Sequence, residues 1–326
     1  MEKKGWQTNP EIVEYQMGYV NYLVHAHAAL ARKLKQLDPD VCIQRSAGDL
    51  TGFVGTYCRL GNCRFVYHSA SNWDVNPQIA LWLSASPITL IYYSLGLVLA
   101  DVIVAQTHDI ANLFAKKFMG KKPVGIVPQV YDARPISPVR RKTKFALWIA
   151  RLIWYKRPDV FLKLARASPE CEFVMAGSGP LQGYVEEHAK SIPNLRFLGQ
   201  VNHITAEELC GKAQLFVNTS MIEGFPNTLL ECAARETPYV TLEYDPDEVI
   251  CKNQIGLHSR SFNKLKEDVE HLMTDDSLRS ELGRNGRKYV LEKHSPGQTV
   301  EAYERVLSKL AIKHQTRITI RGGRVS

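Results

Sequence analysis

The chain has 326 residues, of which 45% are apolar, 23% charged and 9% aromatic; that balance excludes wholesale disorder and suits about two domains. The 41 Lys and Arg outnumber the 33 Asp and Glu, for a formal charge of +8. This excess favours anionic partners but does not choose among nucleic acid, a phospholipid surface and a phosphate-bearing small molecule. Seven scattered cysteines without a Cys-x-x-Cys pair argue against a disulfide framework or a zinc ribbon and for a reducing compartment.

The opening residues, MEKKGWQTNPEIVEYQ, hold no signal-peptide core. Helical periodicity runs over residues 11–37 and stops at Asp38-Pro39-Asp40. VCIQRS reads as a buried strand, Gly48 to Leu60 as helix and CRFVYHS as strand. Pro77 to Leu99 reads mostly as helix and ADVIVAQT as strand. The apolar stretch Pro87 to Ala105 approaches spanning length, but Asp101 interrupts it, so a short helix followed by a buried strand is expected. Asp109 to Met119 is helix and PVGIVPQ strand. Residues 128–144, with three prolines and a basic run, read as a solvated inter-domain linker.

A second alternation begins at FALWIA and continues through strands EFVMAG, NLRFLGQV, AQLFVNTS and PYVTLEY. The intervening helices are Arg157 to Ala167, Leu181 to Ser191, Thr205 to Lys212 and Thr228 to Arg235. Helices at Ser261 to Met273, Ser277 to Lys293 and Gly297 to Ile312 complete the pattern. This plan predicts an α/β chain of two Rossmann-like, doubly wound parallel-sheet domains. They cover residues 1–135 and 136–311, with a frayed basic tail at 312–326.

The segment NTSMIEGFPNTLLECAARETP carries the most chemistry. A strand ends at Asn218, the loop holds Glu223-Gly224-Phe225-Pro226, and a helix begins near Asn227. Gly224 admits close backbone approach. The first amides of the helix, at Asn227, Thr228 and Leu229, would favour an anion at the carboxyl edge of the sheet. Glu223 and Glu231 flank that place.

E-G-F-P-N-T-L-L-E resembles the Glu-x7-Glu signature of the retaining GT-B glycosyltransferases of family four, the glycosyl transferases group 1. Four further pieces are similar to that family and stand in its order: Ile149-Ala150-Arg151-Leu152 with Lys156, Ala176-Gly177-Ser178-Gly179-Pro180, Phe197-Leu198-Gly199, and Val127-Pro128-Gln129-Val130-Tyr131-Asp132. The likeness covers Phe145 to Leu310 and continues more weakly upstream. It implies hexose transfer from a UDP- or GDP-linked donor to a saccharide or lipid-linked acceptor, with retention at the anomeric carbon. Arg151 and Lys156 would clamp the diphosphate, as a fork-shaped donor and a point charge suit it. Gly177, Gly224, Phe225, Asn227 and Thr228 would line the nucleotide-sugar site. Glu231 would bind the ribose, Glu223 the donor sugar, and His68, at the end of CRFVYH, would face the sugar across the cleft. No cofactor and no metal are expected, and Asp245-Pro246-Asp247 is read as a turn rather than an Asp-x-Asp metal site. The implied location is cytoplasmic, at the inner face of a membrane if the acceptor is lipid-linked, with peripheral contact only.

Three departures stand out. The first domain lacks the family's opening strand and glycine-rich loop, which implies a shortened domain or a binding module without catalysis. Glu236 stands where the family has glycine, and Tyr244-Asp245 where it has a glycine pair. Two rival classes fare poorly. A dinucleotide-dependent oxidoreductase needs Gly-x-Gly-x-x-Gly, and Gly183 falls one residue late after Gly177-Ser178-Gly179. A nucleic-acid binder needs an aromatic-basic platform or recognition-helix motif, and the sequence shows none.

Overall fold

A computed structural model describes residues 19–61, 63–76, 87–133 and 143–322. Residues 11–18 and 77–86 of the expected helices, the domain boundary near residue 135 and the basic run of the linker lie outside the described residues.

The first half opens with α1 (Tyr19–Leu37), β1 (Val41–Arg45), α2 (Asp49–Leu60) and β2 (Arg64–His68). It continues with α3 (Pro87–Leu99), β3 (Val102–Ala105), α4 (His108–Lys117) and β4 (Val124–Ile126). All strand pairs are parallel, in the order β1-β2-β3-β4. Residues alternate between the two faces as extended chains require. Phe65, Tyr67, Ile103 and Ala105 pack against Val54 of α2, Leu97 of α3 and Phe114 of α4. Val66, Val102 and Val104 point to the opposite face. Apolar α3 has 13 residues and ends before β3, about 20 Å of helix; among the described residues no helix is long and apolar enough to cross a membrane.

The second half contains β5 (Ala146–Ile149), α5 (Pro158–Ala167), β6 (Phe173–Ala176), α6 (Gln182–Ala189), β7 (Leu195–Phe197) and α7 (His203–Lys212). Then come β8 (Leu215–Asn218), α8 (Asn227–Ala233), β9 (Tyr239–Thr241), α9 (Val249–Lys252) and β10 (Gly256–His258). The helices α10 (Phe262–Thr274), α11 (Asp276–Lys293) and α12 (Pro296–Gly322) follow. The parallel sheet has the order β10-β9-β8-β5-β6-β7, so the winding reverses between β5 and β8. One face packs Trp148, Phe173 and Val217 against α5 and α10, and the other packs Leu147, Val174 and Phe216 against α7, α8 and α11. Both faces are covered, as a parallel sheet requires.

Two features differ from expectation. α9 and β10 are four and three residues long, too short for periodicity to reveal. α12 runs to Gly322 rather than stopping near Ile312, since adding residues to a formed helix is easy compared with starting one. It also returns to the first half, where Ala302, Val306 and Leu310 cover Val66, Val102 and Val104. The first sheet, sequential in order, thus gains its second layer from the far end of the chain.

Candidate active site

The reversal point of an open α/β sheet is where a ligand crevice forms, and a cavity of about 340 Å³ lies there. Ile149, Ala150 and Arg151 reach it from the end of β5, and Asn218 and Ser220 from the end of β8. Lys156, Glu223, Gly224, Phe225, Asn227 and Thr228 complete the wall from the second half.

Two loops carry the charged groups, and they are fastened to each other. Thr219 Oγ1 donates to the carbonyls of Lys156 (2.6 Å) and Arg157 (3.0 Å) and accepts from Trp148 Nε1 at 2.9 Å. Met221 N–H donates to the Tyr155 carbonyl at 2.9 Å. This bracing holds Lys156 Nζ in contact with Glu223 Oε1. The two side chains are only 16% and 15% exposed, so each is the main compensation for the other's lost hydration.

Gly177 does not line the cavity; it shapes the loop that does. Its φ is +154°, and a Cβ there would lie 2.0 Å from the Ala150 carbonyl oxygen. Leu152 N–H bonds the Ser178 carbonyl and Leu181 N–H the Leu152 carbonyl, at 2.9 and 3.0 Å. The Gly-Ser-Gly turn is thus a seat for Ala150-Arg151-Leu152. Gly224 approaches the other domain instead, where a Cβ would meet the Ala70 carbonyl oxygen at 2.0 Å. Phe225 shows the cavity part of its wall while its ring packs in the core beside His294. At the start of α8, Leu229 N–H is taken by the Pro226 carbonyl at 3.1 Å, which leaves the cavity to Asn227 and Thr228.

Glu231 is not among the residues lining this cavity. Its carboxylate sits 3.9 Å from His203 Nδ1. Burial lifts its pKa above the usual carboxylate value, against the opposing pull of His203 and Arg235. His68 is also away from the lining. It is buried, Tyr303 Oη lies 2.7 Å from its Nδ1, and its Nε2 has no hydrogen-bond partner. Burial, with the charge of Arg45 as the second cause, pulls its pKa down to about 4, so the ring is neutral near pH 7.

The first half supplies residues that the sequence analysis did not single out. Arg45, Ala70 and Gln106 line the same cavity. Gln106 Oε1 accepts from Phe225 N–H at 3.2 Å, and its Nε2 donates to Gln129 Oε1 at 2.7 Å. Arg45 also donates to Gln129, at 2.8 Å. The only signal was position: Arg45 ends β1 and Gln106 follows β3, at the carboxyl edge of their sheet. A second cavity of about 760 Å³ adjoins the first and shares Ala70, Arg151, Lys156, Glu223 and Gly224 with it. Trp73 and Tyr155 also line it, with ring centroids 5.1 Å apart.

Residues 131–289 match the family model described as "Glycosyl transferases group 1". The second half of the chain is thus similar to a glycosyl transferases group 1 domain. The matched stretch contains Arg151, Lys156, Glu223 and Glu231, and it leaves out the strands β1 to β4. EpsF of Bacillus subtilis (strain 168) is 26% identical over 282 residues, covering 79% of this chain and 71% of EpsF. Sucrose-phosphate synthase from Thermosynechococcus elongatus superposes with a TM-score of 0.76 at 16% identity, over 94% of this chain and 86% of the synthase. S. aureus TarM, solved with fondaparinux, α-GlcNAc-glycerol and UDP, gives a TM-score of 0.70 at 18% identity, over 86% of this chain. The chain spans 58% of the length of TarM. At such identities the structures speak for the fold alone, two parallel-sheet α/β domains of the GT-B kind.

Proposed function

We propose that the chain moves a hexose from a UDP- or GDP-linked donor to a saccharide or lipid-linked acceptor, with retention of anomeric configuration. The observation that carries this reading is the convergence of Arg151, Lys156, Glu223 and the start of α8 on one cavity at the sheet reversal. Arg151 and Lys156 hold the diphosphate, and Lys156 exchanges part of its contact with Glu223 for a phosphate oxygen. Glu223 then accepts from hydroxyls of the donor sugar. Glu231, on α8 beside His203 and outside the wall of this cavity, takes the ribose hydroxyls.

The acceptor occupies the adjoining cavity, which Trp73 and Tyr155 help to line. The bond from the anomeric carbon to the diphosphate oxygen breaks, and its electron pair stays on the phosphate. The acceptor oxygen bonds to the same face of that carbon and gives its proton to the departing phosphate oxygen. This chain's residues orient the reactants and neutralise the growing phosphate charge, which Arg151 and Lys156 do without a divalent cation. His68 stands two residues from Ala70 on the wall; Tyr303 donating to its Nδ1 would leave Nε2 as an N–H, the form that donates. A lipid-linked acceptor would bring the chain to the inner face of a membrane, and the exposed Ile91, Leu95 and Val98 on one side of α3 suit that contact.

The test is release of UDP or GDP from a panel of nucleotide sugars in the presence of acceptor extracts, with the product anomer read by proton NMR coupling. Turnover with the donor's own configuration supports the reading. Binding without turnover favours a nucleotide-sugar-binding module, and inverted product overturns retention.

A further inference from the structure

At the amino-terminal edge of the first sheet, opposite the cleft, three thiols meet. Cys42 is the second residue of β1, Cys58 lies in the last turn of α2, and Cys63 immediately precedes β2. Cys58 Sγ is 3.0 Å from Cys63 Sγ, and Cys63 Sγ is 3.4 Å from Cys42 Sγ. All three sulfur atoms lie within 4.8 Å of one another. Each thiol is free; Cys42 and Cys58 are buried and Cys63 is partly exposed. Their spacing of 16 and five residues gives no Cys-x-x-Cys, so the zinc ribbon excluded from the sequence does not exclude a site assembled by the fold.

A tetrahedral zinc ion about 2.3 Å from each sulfur needs them roughly 3.8 Å apart. The Cys58–Cys63 and Cys63–Cys42 sides therefore have to open by less than about 1 Å to hold one. Thiolates select soft and borderline cations over hard ones. Three protein ligands with the remaining position toward solvent are a known form for zinc, and the partly exposed side of Cys63 provides that position.

We propose that Cys42, Cys58 and Cys63 form a three-thiolate site for Zn²⁺ that ties the end of α2 to the starts of β1 and β2. Binding displaces three thiol protons to solvent and leaves the cluster with one net negative charge. The site is separate from sugar transfer. It fastens a sheet of four strands whose neighbour layers come from both ends of the chain.

The full chain, loaded with zinc and passed into metal-free buffer, should retain one zinc by mass spectrometry. Cys58→Ser or Cys63→Ser should weaken zinc retention about tenfold or more, while Cys171→Ser keeps it. Cobalt-loaded wild type should show thiolate-to-metal charge transfer, a readout that needs no variant to fold. Loss of the zinc from wild type, a cobalt spectrum without that band, or five titratable thiols in the denatured protein instead of the seven in the sequence would overturn the proposal. The last result would mean a disulfide in the metal's place.

Discussion

Thr219 shows how one hydroxyl sets the geometry of a charged site. It satisfies Trp148 Nε1 and the carbonyls of Lys156 and Arg157 together. Thr219→Val keeps the shape and strands these buried groups, so stability in urea should fall by about 1–3 kcal/mol. Lys156 and Glu223 are coupled in the same way. Lys156→Ala removes a charge-assisted contact from the donor and leaves Glu223 without its partner. UDP or GDP affinity should drop at least about tenfold, a loss of charge-assisted hydrogen bonds worth about 1.5–3 kcal/mol. Titrating Lys156→Ala against wild type checks it.

Two buried histidines set a pH dependence. Burial lowers the pKa of both His68 and His294 from 6.5 to about 4. Between these values the unfolded chain binds protons that the folded chain refuses, so stability rises with pH across that window. Their contribution is fully present above pH 6.5 and is lost on acidification toward pH 4. The thermal midpoint should fall over that range, and His68→Asn should make the fall shallower.

At the scale of elements, the Gly-Ser-Gly turn supports a strand end rather than a ligand. Gly177→Ala places a Cβ against the Ala150 carbonyl at a left-handed φ. We expect a loss of about 1–3 kcal/mol or more from overpacking, with β5's loop displaced and nucleotide affinity reduced, measured by denaturant unfolding and titration of the same sample. The strands β5 to β9 of the second half were legible because each is a short apolar run bounded by turn residues. AQLFVNTS and EFVMAG read as buried strands of an α/β chain. β10 was not legible: Gly256–His258 is defined by pairing with β9, and three residues carry no period. Glu236 could be noticed as a departure from glycine, and the fold does set it at φ 56°, the left-handed region that glycine enters most readily.

The whole molecule is closed around its cleft by contacts that sequence reasoning could not anticipate. The residues that meet are far apart in the chain: Gln106 reaches Phe225, and α12 crosses back to the first sheet. Asp245-Pro246-Asp247, read from sequence as a turn, leads into the short helical turn Pro246–Glu248, with Asp245 as its cap and Asp247 at φ 53°. The Asp247 carboxylate accepts from His108 N–H at 2.7 Å and Asp109 N–H at 2.8 Å, so it anchors the start of α4 to the second domain. Asp247→Ala should leave each domain folded and widen the separation between them, seen as a larger radius of gyration in X-ray scattering and a higher KM for the donor. Arg151, Lys156, Glu223 and Gly224, which line one cavity, were legible through the resemblance of their segments to the group 1 family. Arg45 and Gln106 were not, because nothing local marks a side chain that acts on another domain.

In the proposed reading, the cavity at the β5–β8 reversal grips a nucleoside diphosphate. Isothermal titration of the full chain with UDP and GDP tests it most directly. Wild type should bind one of them, and Arg151→Glu should weaken binding by about a hundredfold or more through charge repulsion. Arg284→Glu, at the opposite edge of the same sheet with Gln214 and Pro238, should bind as wild type does. Equal affinity in wild type and Arg151→Glu would contradict the account.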